Sequence, residues 1–307
     1  MCAAIYRDFT SQDALDRAYD VEASVPDFMA YANEYIAQSA LARRSLPVHE
    51  NVAFGPTLAE HADIFPARRP RAPVLIFIHG GYWRMLTAKE FSFVALGFVP
   101  HDVTVIVATY ELCPTVSITE ISRQMRSLVA WTARNISRFN GDPDAISVCG
   151  HSAGGHLSAM CALTDWSTYG LPASTIRSIV PISGLFDLEP ISHTFLQSDL
   201  RISERDIAHA SPQRLIRPCP VRMLLSYGTN EPAEFERHSE DFLTAWRSAG
   251  NHAARFALPG RNHFSAITDL ADPNSEQVAA ILDVMDAPRV RTFSRVDRRL
   301  FPQRSVS

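Results

Sequence analysis

One serine in this chain sits where a hydroxyl could be turned into a nucleophile. Gly150-His151-Ser152-Ala153-Gly154 is a G-x-S-x-G sequence, preceded by an apolar run at 145–149 and followed by a helical segment at 153–163. A strand that enters a helix through so tight a turn projects the hydroxyl from the sheet edge, and the glycines let the turn close. The helix that starts there turns its positive end and free N–H groups toward a developing oxyanion. A serine hydroxyl is a weak nucleophile at neutral pH and needs a base.

In the order Ser, acid, His that accompanies such a turn, the base follows a late strand. His263, in Leu258-Pro-Gly-Arg-Asn-His263-Phe264, fits that place. His238 falls inside a helical stretch and His252 at a turn, so both read as surface histidines; His193 and His209 lie in an intervening segment. The acid should follow the run at 221–226. Glu231 is on that loop and is favoured over Glu234, which opens the next helix and suits a first-turn charge. Asp187, after the preceding strand, is the rival, with helix capping as its plain reading.

His79-Gly80-Gly81-Tyr82-Trp83 follows an earlier apolar run, and glycines there let backbone N–H groups approach a carbonyl. The expected oxyanion donors are Gly81, Tyr82 and Ala153, with Gly80 as a further one; His79 reads as a loop-stabilising residue. Tyr82, Trp83, Phe186 and Phe264 could line a pocket for a planar ring, and Arg84 could meet a substrate carboxylate.

The elements that must hold these residues read clearly. Runs at 74–78, 103–108, 145–149, 176–182, 221–226 and 253–258 are near-continuous apolar stretches, as strands buried on both faces are. Helical segments at 87–97, 118–139, 153–163 and 234–249 alternate with them, which predicts an α/β fold with a mostly parallel sheet covered on both faces. Residues 11–42 read as one or two helices broken near Pro26, and 48–54 and 62–65 as short opening strands. The stretch 184–220 is long for a crossover and is expected to form a short helical cap shaping a pocket. We expect one domain over residues 1–287 and an arginine-rich surface tail at 288–307.

Composition narrows the class. The 307 residues are 46% hydrophobic, with a net charge of −4, enough for a large core and without the basic field that gathers nucleic acid or anionic lipid. A small-molecule substrate is the expected partner, with no nucleic acid and no membrane; a homodimer is left open. Five cysteines without a CxxC pair argue against a disulfide framework or a zinc cluster and for a reducing, cytoplasmic setting. No basic start followed by an apolar run opens the chain, so no signal peptide is expected. No metal or organic cofactor is needed by a serine, an imidazole and a carboxylate.

HGGYW at 79–83, Tyr110-Glu-Leu-Cys-Pro114, GHSAGGHL at 150–157 and PGRNHF at 259–264 together resemble the kynurenine formamidase (arylformamidase) group. The similarity runs from Leu15-Asp-Arg-Ala-Tyr19 to about Ala271. The resemblance implies an α/β-hydrolase fold of the esterase/lipase branch and a serine hydrolase that removes N-formyl groups from aromatic amines or cleaves small esters. Gly228-Thr-Asn-Glu231, with Phe235 and Ser239, matches the family's acid loop with Glu in place of Asp, so the resemblance gives Glu231 the acid role. It leaves arylformamidase and carboxylesterase as the two candidate activities. A hydrolase-like protein that only binds would be expected to lack the nucleophile or the base.

Overall fold

The computed structural model describes residues 4–286; the expected tail at 288–307 lies outside them. Two helices come first, α1 (Gln12–Tyr19) and α2 (Phe28–Ser45), separated around Pro26 and started by the side-chain caps Ser11 and Asp27. Eight strands follow: β1 (His49–Ala53), β2 (His61–Phe65), β3 (Ala72–Ile78), β4 (Thr104–Ala108), β5 (Gly141–His151), β6 (Ile176–Ile182), β7 (Arg222–Gly228) and β8 (Ala253–Leu258). They form one sheet in the order β1-β2-β4-β3-β5-β6-β7-β8. The pairs β1–β2 and β2–β4 are antiparallel, and every pair from β4 through β8 is parallel.

Side chains alternate across each strand, and here both faces are apolar. Val74, Ile76 and Ile78 enter one core with Ile106, Ile146 and Val148. Leu75 and Phe77 enter the other with Val105, Val107 and Cys149. The remaining helices cover these faces: α3 (Ala95–Phe98), α4 (Ile118–Asn135), α5 (Ala153–Ala162), α6 (Glu189–Ser192), α7 (Gln197–Leu200), α8 (Glu204–Ala210), α9 (Pro212–Leu215), α10 (Ala233–Ser248) and α11 (Glu276–Met285). Helices α4, α5 and α10 pack on the first core and α11 on the second. Each buried aliphatic or aromatic side chain contributes roughly 1.5–3 kcal/mol relative to exposure.

This topology selects a place for chemistry. From β3 the chain passes to β4 on one side, then crosses over to β5 on the other. At that reversal the loops after β3 and β5 diverge, opening a crevice at the strands' C-terminal ends where open α/β sheets take their ligands. The HGGYW loop and Ser152 flank this crevice.

Two expectations are corrected. The segment expected to be a helix at 87–97 forms two 3₁₀ turns and the single turn α3. His238 is not a surface residue. It lies on the buried face of α10 with Phe235, Ser239, Phe242 and Trp246, bonded to the Tyr19 hydroxyl at 3.0 Å and to the Phe186 N–H at 3.2 Å.

Candidate active site

Ser152 stands between β5 and α5 with φ 57° and ψ −119°, outside the regions where a side chain is comfortable. The neighbours hold it there. Its N–H donates to the carbonyl of Ile182 at 2.8 Å. A methyl group on Gly154 would fall 1.9 Å from the carbonyl oxygen of Ile78, and one on Gly150 would fall 2.1 Å from that of Gly154. Only glycines allow β3, β5 and α5 to approach so closely. The serine is 2% exposed, on the wall of a cavity.

His263 reaches the same cavity from the loop after β8. Its Nδ1 lies 2.7 Å from Oε2 of Glu231. The other oxygen of Glu231 accepts hydrogen bonds from the Gly228 N–H at 2.6 Å and the Ser183 hydroxyl at 2.5 Å. These donors fit an ionised carboxylate, so Nδ1 carries the proton and Nε2 has its lone pair free. Gly228, which has no Cβ, lets the acid loop and the histidine loop approach: a methyl there would meet the Arg261 carbonyl oxygen at 2.2 Å and lie 3.1 Å from Oε1 of Glu231. Backbone bonds from Thr229 to Leu258 and from Asn230 to Arg261 tie the acid loop to the histidine loop. The Ser152 hydroxyl makes no hydrogen bond with the described residues; such contacts commonly close only when substrate is bound.

The two rival acids are placed elsewhere. Glu234 accepts from Tyr19 and pairs with Arg237. Asp187 accepts from the Glu189 N–H and pairs with Arg214.

The oxyanion loop is braced from behind. His79 donates from Nδ1 to the carbonyl of Gly80 at 2.7 Å. Its ring is stacked on Tyr110 at 4.2 Å and on Phe91 at 5.5 Å. The Tyr110 hydroxyl donates to the carbonyls of His79 and Gly80. Burial lowers the His79 pKa to about 4, so it stays neutral. Gly81 has φ +98°, and Tyr82 and Trp83 are also left-handed, at 49° and 55°. The N–H groups of Gly81 and Tyr82 donate to no backbone carbonyl of the described chain, and Ala153 heads α5, where an N–H has no intrahelical partner. Gly80 is in close contact with Ser152: a methyl on it would lie 3.1 Å from the serine Cβ.

Of the five residues expected to line the pocket or meet substrate, Tyr82 and Phe264 line the cavity and Trp83, Arg84 and Phe186 do not. Phe186 is 1% exposed and stacked on Phe242 at 4.1 Å, because the chain after β6 turns it under α10. Trp83 is fully buried, edge-on to His156 at 5.0 Å. Arg84 is tied to Asp199. The segment 184–220 does carry four short helices, but none of its residues lines the cavity.

The wall comes instead from α2, which the sequence reading did not connect with the site. Phe28, Ala32, Tyr35 and Ile36 face the cavity. The same helix secures the catalytic loop: the Tyr35 hydroxyl donates to the Phe264 carbonyl, and Asn262 donates to the Tyr31 hydroxyl at 2.8 Å. Ser183 and His151 were also missed. His151 bonds to the carbonyl of His263 at 2.9 Å, and its ring lies 4.6 Å from that of His263. Burial, with the neighbouring His263 adding to it, keeps His151 neutral.

The cavity is about 150 Å³ and almost wholly apolar, a size that admits a benzene ring. Among the described residues no group of three or more His, Cys, Asp or Glu is placed to hold a metal ion. The four described cysteines are free, and burial raises the Cys113 and Cys161 thiols to about 12.

Residues 63–214 match the BD-FAE family model. The chain is 30% identical to the kynurenine formamidase of Danio rerio over 231 residues, covering 73% of this chain and 77% of the relative. The chain belongs to the kynurenine formamidase family. A second member of that family, from Salmo salar, is 29% identical over 76% of this chain and 81% of its own length. A crystal structure of a candidate thioesterase from Silicibacter sp. superposes with TM-score 0.78 at 29% identity, covering 87% of this chain and 98% of that one. The esterase of Pyrobaculum calidifontis shares the fold, with TM-score 0.68 at 18% identity over 89% and 96% of the two chains. This family member is therefore a hydrolytic enzyme of the α/β-hydrolase type.

Proposed function

We propose that the protein is a serine hydrolase that removes a small acyl group, formyl in the first instance, from an aromatic amine. The observation that supports this most is the meeting of three distant segments at one cavity: strained Ser152, His263, and Glu231 at 2.7 Å from its Nδ1. Ser152 Oγ attacks the substrate carbonyl carbon while His263 Nε2 takes the hydroxyl proton, and Glu231 stabilises the resulting imidazolium. The oxyanion accepts hydrogen bonds from the N–H groups of Gly81, Tyr82 and Ala153. His263 then returns the proton to the leaving nitrogen as the C–N bond breaks, leaving an acyl-enzyme. Water attacks that ester by the same route, and the released serine recovers its proton. None of these steps calls for a metal or an organic cofactor.

A second reading, carboxylesterase activity on small or aromatic esters, is favoured by the apolar cavity and uses the same residues with an alkoxide leaving group. A protein that binds without catalysis would not need the strained serine. The partner is a small molecule. No described helix is long and apolar enough to cross a membrane, and the four free cysteines support a cytoplasmic, reducing setting. The test is a panel of N-formyl arylamines and nitrophenyl esters run against Ser152→Ala. Hydrolysis of the formamides that disappears in the variant supports the amidase reading; hydrolysis of esters alone contradicts it and leaves the second.

A further inference from the structure

We propose that His151 accepts a hydrogen bond from the N–H of the scissile amide, which makes it the residue that fits this site for secondary anilides as well as for esters. The inference rests on the hydrolase reading above and names the residue that separates its two candidate activities. His151 stands between Gly150 and Ser152 and is 4% exposed, on the wall of the cavity that Ser152 and His263 also line. Its Nε2 lies 2.9 Å from the carbonyl oxygen of His263. A carbonyl only accepts, so in the neutral ring Nε2 carries the proton and Nδ1 carries a lone pair. Burial, and after it the neighbouring His263, hold the His151 pKa well below the usual histidine range, so the lone pair persists at neutral pH. It lies beside the reacting centre: a methyl group on Gly80 would stand 3.3 Å from His151 Nδ1 and 3.1 Å from the Ser152 Cβ. The ring centre is 4.6 Å from that of His263, the residue that must meet the leaving nitrogen.

Amides need such an acceptor and esters do not. When Ser152 Oγ bonds to the carbonyl carbon, the π electrons move onto oxygen and the nitrogen lone pair is released from conjugation. That lone pair points away from the entering oxygen, and so away from His263. The nitrogen must invert before it can take the proton from His263 Nε2 and the C–N bond can break. A hydrogen bond from its N–H to His151 Nδ1 favours the inverted form. His151 takes no proton, and the hydrogen leaves with the amine. An ester oxygen has a second lone pair and no hydrogen, so it meets His263 without inverting. The contribution expected is about tenfold to a hundredfold in rate, the weight of one hydrogen bond made or left unmade in a buried site.

The test measures kcat/KM for 4-nitroformanilide, N-methyl-4-nitroformanilide and 4-nitrophenyl acetate on the parent chain and on His151→Phe, each divided by the rate of the same compound with hydroxide. Phenylalanine keeps a ring in place of the imidazole and removes both nitrogens. The ester reads what the base loop loses with its bond to His151; the formanilide reads that loss and the loss of the acceptor together. The ratio of formanilide to ester is expected to fall about tenfold or more in His151→Phe. The parent is expected to favour the N–H formanilide over its N-methyl analogue by about tenfold or more, and the variant to lose most of that preference. An equal fall for formanilide and ester, or a parent that cleaves the N-methyl analogue as readily, would overturn the inference while leaving the hydrolase reading in place. The comparison on the parent needs no variant, so it decides the matter if His151→Phe does not fold. Ester cleavage by a parent that turns over neither formanilide would overturn the amidase reading along with this inference, and no turnover of any of the three would overturn the hydrolase reading itself.

Discussion

Glu231 and His263 are joined oxygen to nitrogen at 2.7 Å, although they come from loops after two different strands. Both oxygens of the carboxylate are engaged, one by the imidazole and the other by Gly228 and Ser183. Glu231→Gln would put an amide beside Nδ1 and unsettle the tautomer, with kcat falling roughly a thousandfold or more and KM changing little. Ser183→Ala removes one brace, and a loss of about tenfold is expected. Steady-state kinetics on one chromogenic ester measures both.

The bracing of the oxyanion loop is testable separately. Tyr110→Phe keeps the stack on His79 but removes the hydrogen bonds to the His79 and Gly80 carbonyls. We expect kcat to fall about tenfold with KM nearly constant, since the N–H donors act on the transition state. Thermal unfolding should show a loss of about 1 kcal/mol.

Gly154→Ala should be far more severe. The added methyl would sit 1.9 Å from the Ile78 carbonyl oxygen, so either β3 and α5 separate or the turn at Ser152 relaxes. A destabilisation of about 3 kcal/mol or more is expected, together with loss of turnover. A variant that melts and reacts like the parent would show that the close approach is not required.

Acid should weaken the fold through its buried neutral histidines. His79 and His156 are both lowered by burial to about 4, against roughly 6.5 in the unfolded chain. Between those values the unfolded state binds more protons, so stability is full above about pH 6.5 and is lost as pH falls toward 4. Thermal melts across that window should show a falling midpoint. His156→Gln, which keeps a hydrogen-bonding side chain near the Ala210 carbonyl but cannot titrate, should flatten the slope.

The catalytic side chains were legible because their signals are local. Ser152 is flanked by a strand and a helix, Glu231 lies on the loop just after a strand with Gly-Thr-Asn before it, and His263 follows a Pro-Gly turn. The cavity walls were not legible, because they depend on which way side chains turn once distant elements pack. Phe186 follows a strand end as a pocket residue would, yet α10 captures it through Phe242. Phe28, Tyr35 and Ile36 lie more than a hundred residues before the serine, and nothing in their spacing points to it. His238 could have been placed correctly: its spacing from Phe235, Phe242 and Trp246 is that of one helical face. Ser183 carries no pattern of its own and is explained only by the carboxylate beside it.

The most direct measurement is covalent labelling with a fluorophosphonate, followed by peptide mass mapping, on the parent chain and on Ser152→Ala and His263→Ala. One adduct on Ser152 is expected in the parent, none in Ser152→Ala, and labelling slowed by orders of magnitude in His263→Ala. An adduct on another residue, or labelling of His263→Ala at the parent's rate, would contradict the assignment of Ser152 as a nucleophile activated by His263.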